Sequence, residues 1–129
     1  MPEFLTLEEV IQTHEAILEQ FGGASGIRDQ GLLESALAQP QATFAGELLH
    51  VTVWEQGAAY LFHLAMNHPF LDGNKRTAFA AADIFLRLNG FILNLSQDEK
   101  FEFVIRVVTG GLDKEAIAAY LEQVSVPRA

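Results

Sequence analysis

The run Thr77-Ala78-Phe79-Ala80-Ala81-Ala82-Asp83-Ile84-Phe85-Leu86 constrains the fold more than any other stretch of the chain. It consists of good helix formers and is apolar nearly all round, so it predicts a helix in the middle of a bundle. Directly before it stand nine residues of a different kind, His68-Pro69-Phe70-Leu71-Asp72-Gly73-Asn74-Lys75-Arg76. They bring together an imidazole, a carboxylate, a Gly-Asn pair and two adjacent cations. A polar loop therefore feeds the first turn of a buried helix, predicted over 74–89.

The flanking sequence supplies the rest of a helical bundle. Thr6-Leu7-Glu8-Glu9, Thr52-Val53-Trp54-Glu55 and Ser96-Gln97-Asp98-Glu99 are capping boxes. The first opens a helix to about Gln20, apolar at Leu7, Val10, Ile11, Ile17, Leu18 and Phe21 and stopped by Gly22-Gly23. His14 on this helix reads as a surface or packing histidine. Asp29 caps a short helix ending before Pro40, with Leu32, Leu33, Ala36 and Leu37 as its buried stripe. Arg28 and Asp29 are expected to pin the turn that precedes it. The second box opens a helix to about Asn67 that embeds His63. The third opens one whose apolar positions are Phe101, Val104, Ile105 and Val108, ending at Gly110-Gly111. A last helix starts near Asp113 and carries Ile117, Tyr120 and Leu121. Asp83 and Arg87 are spaced to pair along the central helix. Gln41 to Val51 has no clean helical period and reads as an ordered loop with strand character. Phe91 to Leu95 reads as an apolar connector, and the tail from Val124 to Ala129 as frayed. The expectation is one all-α domain over 1–129, about six helices with a small flap before the central pair.

Composition excludes several functions. The absence of cysteine removes disulfides, thiolate catalysis and thiolate metal sites, and fits a cytoplasmic protein. No apolar run reaches the roughly 18 residues of a membrane span. A formal charge of −9 argues against direct nucleic-acid binding. With only eight basic residues in the chain, the adjacency of Lys75 and Arg76 carries weight. Cations are unfavourable at the positive end of a helix dipole unless an anion lies between them. The first-turn N–H groups have no intrahelical partner, so the loop reads as a phosphate cradle. Gly73 permits close backbone approach and Asn74 offers an amide donor. Asp72 is either a ligand for Mg²⁺ or the N-cap of the helix. His68 precedes Pro69 and is predicted to be extended. It reads as a general base, or as a cap for the preceding helix. Phe70 and Leu71 are expected to anchor the loop on the core.

The nine residues resemble the signature of the Fic/Doc superfamily, His-x-Phe-x-(Asp/Glu/Asn)-(Gly/Ala)-Asn-(Gly/Lys)-Arg. With Lys75 in the eighth place they are similar to the Doc (death-on-curing) branch, toxins of type II toxin–antitoxin pairs. The segment Arg28 to Leu37, followed by Pro40, is similar to the N-terminal part of Doc-type proteins. The resemblance implies a Fic/Doc fold, with residues 41–51 as a flap that positions a protein substrate by strand addition. It also implies transfer of the γ-phosphoryl group of ATP to a threonine of translation elongation factor Tu. In that scheme His68 is the base, Asp72 holds Mg²⁺, Phe70 anchors the loop, and Gly73, Asn74, Lys75 and Arg76 hold phosphate. AMP-transferring relatives usually carry Gly where this chain has Lys75 and a further Arg where it has Phe79, which counts against adenylylation and makes it an alternative rather than the expected reaction. A catalytically weak antitoxin-binding co-regulator is the other. Thr43-Phe44-Ala45-Gly46-Glu47-Leu48 is the nearest string to a self-inhibitory motif and lacks its last residue. The resemblance therefore implies restraint by a cognate antitoxin, whose C-terminal segment folds as a helix in a groove of the bundle.

Overall fold

Two helices of 15 residues each, α3 (Val53–Asn67) and α4 (Asn74–Leu88), pack against each other at the centre. The computed structural model describes residues 2–129. Around the pair lie α1 (Leu7–Phe21) against α4, α2 (Gln30–Ala38) and α6 (Lys114–Val124) against α3, and α5 (Gln97–Val108) touching both. A 3₁₀ turn, Gln39–Gln41, extends α2 through the buried Pro40. The fold is the six-helix, mainly α bundle that the periodicity predicts.

Local sequence rules set the helix starts. All three capping boxes form, with Thr6, Thr52 and Ser96 each accepting from the backbone N–H three residues on. Asp29 and Asp113 cap α2 and α6 in the same way. The expected apolar character of α4 is borne out by burial of Ala78, Phe79, Ala81, Ala82, Phe85 and Leu86. Phe85 in turn lies against Phe4 and Tyr60, so this helix and α3 share the centre of the core. Asp83 and Arg87 pair at 3.4 Å.

Three expectations need correction. On α5 the buried residues are Phe103, Val104 and Val107, and Phe101 is 68% exposed. The helix is rotated about its axis relative to the reading from Phe101, because α5 meets α3 and α4 at once and buries a different stripe. Phe91–Leu93 is strand β3 rather than a connector. Ser125–Pro127 is strand β4, paired antiparallel with it, rather than a frayed tail. Trp54 of α3 fixes that tail by donating from Nε1 to Ser125 Oγ at 3.1 Å.

The segment before α3 is a two-stranded hairpin, β1 (Thr43–Phe44) and β2 (Glu47–Leu48). Ala45 and Gly46 both have positive φ, 54° and 83°, the pattern of a tight hairpin turn that follows strand twist. Phe44 of the hairpin is 75% exposed, and Val51, three residues beyond it, is 72% exposed.

Candidate active site

The nine-residue stretch spans the end of α3 and the start of α4. His68 is the C-cap of α3 and is left-handed, φ 48°, ψ 55°. This corrects the extended conformation expected before proline. The carbonyls around it are bound from outside, which holds a conformation that a following proline disfavours. Arg28 donates from Nε to His68 O at 2.6 Å and from Nη2 to Asn67 O at 2.9 Å. The backbone N–H groups of Arg28 and Asp29 both donate to Pro69 O, at 2.7 and 3.1 Å. Capping of the α3 carbonyls thus falls to Arg28, and the exposed His68 ring is free of that task.

Phe70 is buried, as expected of an anchor, but Leu71 is 56% exposed and its side chain lies over Gly26 rather than in the core. Its backbone N–H donates to Gly26 O at 3.1 Å instead, beside an antiparallel bridge between Ile27 and Phe70. His14 of α1 stacks on Phe70, with centroids 3.8 Å apart and the rings nearly parallel. Its Nε2 lies 2.8 Å from Asp72 O; a carbonyl only accepts, so Nε2 carries the hydrogen. His14 is therefore a packing histidine, as read, but it packs on the loop. Helix periodicity gave no sign of that contact, because the partner lies 58 residues away.

Asp72 is not the N-cap of α4. Gly73 is, at φ 74°, and no side chain caps this helix. A residue with Cβ is strained at such a φ, so glycine is required here. The Asp72 carboxylate accepts from Gly73 N at 2.9 Å and from Ala24 N at 3.3 Å. Asn74, expected as an open donor, both accepts from Phe70 N and donates to Phe70 O, at 2.9 and 3.0 Å. One of its two amide hydrogens remains. Lys75 and Arg76 are exposed, and the Arg76 guanidinium lies 4.0 Å over the ring of Phe21. Among the described residues neither has an ion-pair partner.

The result is an uncapped helix start, with N–H groups of the first turn open, two unpaired cations on it and an imidazole across the loop. Such an arrangement suits an anion with a reacting hydroxyl beside it. No group of three His, Cys, Asp or Glu side chains that could hold a metal occurs among the described residues. A cation at Asp72 would take its other ligands from phosphate oxygens and water, the usual situation of Mg²⁺, so the donor set fits. Elsewhere, His63 of α3 faces the start of α6. His63 accepts from Lys114 Nζ at 3.1 Å, and burial, then Lys114, then His50, push its pKa down to about 4.

A helical bundle with this loop between its two central helices defines the Fic/Doc class, and the chain belongs to the Fic/DOC family, whose sequence profile matches residues 4–86. Within that family it is 42% identical over 123 residues to the "Toxin Doc" of Mycolicibacterium smegmatis, covering 94% of this chain and 92% of that protein. It is 34% identical over 116 residues to the "Protein kinase doc" of Escherichia phage P1, covering 90% of each. Among the described residues, no helix is long and apolar enough to cross a membrane.

Proposed function

We propose that this protein is a Doc-type toxin that transfers the γ-phosphoryl group of ATP to a hydroxyl, that of a threonine of elongation factor Tu. The observation that carries the reading is the uncapped start of α4 bearing Lys75 and Arg76, with His68 across the loop. The kinase name of the phage relative supports it. His68 takes the proton of the attacking hydroxyl. The freed oxygen bonds to the γ-phosphorus while the bond from that phosphorus to the β–γ bridging oxygen breaks, and ADP leaves. Lys75, Arg76, the remaining Asn74 side-chain N–H and the first-turn backbone N–H groups from Asn74 onward, beside Gly73, meet the charge that spreads over the phosphoryl oxygens. Phosphoryl transfer needs mainly such positioning and electrostatic stabilisation. Asp72 would hold Mg²⁺, which when bound neutralises phosphate charge.

The hairpin β1–β2, with Phe44 outward, offers a strand edge to a protein substrate. A groove of about 450 Å³ between α1 and α4, lined by Ala16, Ile17, Ala80 and Ile84 with Glu9 and Gln12 at its side, suits an antitoxin helix. Phe79, which is buried, occupies the position at which the resembling AMP-transferring proteins carry a further Arg, and this supports phosphorylation over adenylylation. The test is incubation of purified elongation factor Tu with ATP labelled at the γ or the α position, alongside His68→Ala. Label from γ alone, lost in the variant, supports the reading. Label from α moves the activity to nucleotidyl transfer, and label from neither removes this substrate.

A further inference from the structure

Three consecutive carbonyls at the exit of α3, those of Asn67, His68 and Pro69, are all bound by one short segment, Arg28-Asp29. Two of these contacts come from a side chain. The guanidinium fork of Arg28 spans Asn67 O and His68 O, while the backbone N–H groups of Arg28 and Asp29 take Pro69 O. A cation at this place also complements the negative end of the α3 dipole. His68 sits between these contacts in the left-handed region, at φ 48°, directly before a proline. A non-glycine residue stays in such a conformation only where its surroundings determine it.

We propose that Arg28 is a positioning residue for the reaction: its guanidinium holds the His68 backbone left-handed and so sets where the imidazole stands relative to the start of α4. The arrangement assigns separate work to the two kinds of contact. The backbone N–H groups of residues 28 and 29 dock the segment, and survive any substitution of the Arg28 side chain. The fork alone fixes the angle at which the chain leaves α3. Lysine would keep the charge but offers one compact ammonium rather than a planar fork, so it does not replace arginine at a two-carbonyl site. Arg28 lies 40 residues from His68 in sequence and bonds only to main-chain oxygens there, so no side-chain pattern announces the link.

This inference rests on the phosphotransfer reading for its kinetic arm, and a second arm is independent of it. In Arg28→Ala, amide hydrogen exchange at Phe70 and Leu71 is expected to accelerate at least tenfold, while amides in the middle of α4, such as Phe85, keep their protection. In the same variant kcat for transfer from ATP is expected to fall at least tenfold, with KM for ATP within twofold. Arg28→Lys, which keeps the cation and folds if charge at this helix end is all that folding needs, is expected to recover less than half of the lost kcat. Exchange at Phe70 and Leu71 unchanged in both folded variants would overturn the proposal, whatever the substrate. So would full kcat in Arg28→Lys, or a loss carried by KM alone, which would make Arg28 a nucleotide contact. If the parent protein transfers no phosphate, the phosphotransfer reading fails by itself, and the exchange arm still decides whether Arg28 holds the loop.

Discussion

At the scale of single residues, the site is held by side chains outside it. His14 covers Phe70 with its ring and donates to Asp72 O, so it ties α1 to the middle of the loop. Replacing it by alanine leaves an apolar gap over Phe70 and an unbound carbonyl. His14→Ala is expected to cost about 2 kcal/mol of stability in urea unfolding. A change within about 0.5 kcal/mol, the size of an ordinary surface substitution, would show that the contact holds nothing. His63 gives a pH dependence of definite sign. Its folded pKa is pushed down from 6.5 to about 4, first by burial and then by Lys114 and His50. Between those values the unfolded chain binds the proton better than the folded one. Stability therefore falls as pH drops from about 6.5 towards 4, and His63 contributes no further slope below that. His63→Gln, which keeps an acceptor for Lys114, is expected to flatten the decline between pH 7 and pH 5. An unchanged slope would place its origin elsewhere. Of these residues the sequence marked His14 only as a surface or packing histidine, Arg28 only as pinning a turn and His63 only as embedded in its helix. His14 and Arg28 act through contacts 58 and 40 residues distant, which no local periodicity encodes.

At the scale of elements, legibility followed the range of the forces involved. Capping boxes are complete within four residues, and all three form where Thr6, Thr52 and Ser96 announced them. The all-round apolar pattern of α4 likewise specified a central helix, since any exposed face would have left apolar surface in water. Strands β3 and β4 were illegible because each is three residues long and gains its hydrogen bonds only from the other, more than 30 residues away. The stripe of α5 was misread for a related reason: Phe101 and Phe103 are equally apolar, and only the position of α3 and α4 decides which is buried. The pairing of β4 makes the C-terminal residues structural. Removing residues 125–129 takes away the β3–β4 ladder and the Trp54–Ser125 bond. The truncated chain is expected to lose about 2 kcal/mol in urea unfolding. A midpoint equal to that of the full chain would mean that this tail holds no part of the fold.

At the scale of the whole molecule, an acidic bundle places two unpaired cations and an uncapped helix start at one end of its two central helices. The surrounding helices turn toward that end: α1 supplies His14 and the Phe21 ring under Arg76, and the turn before α2 supplies Arg28. The arrangement is costly as mere structure, since cations at a helix N-terminus oppose the dipole, and an anion resolves it. We propose that the anion is the polyphosphate of ATP, whose terminal group passes to a protein hydroxyl deprotonated by His68. The most direct measurement is the intact mass of elongation factor Tu after incubation with ATP and this protein, compared with His68→Ala. The account predicts a gain of one phosphoryl group, confined to a threonine and absent with the variant. A gain of one AMP, or a phosphoryl gain that persists in His68→Ala, would contradict it.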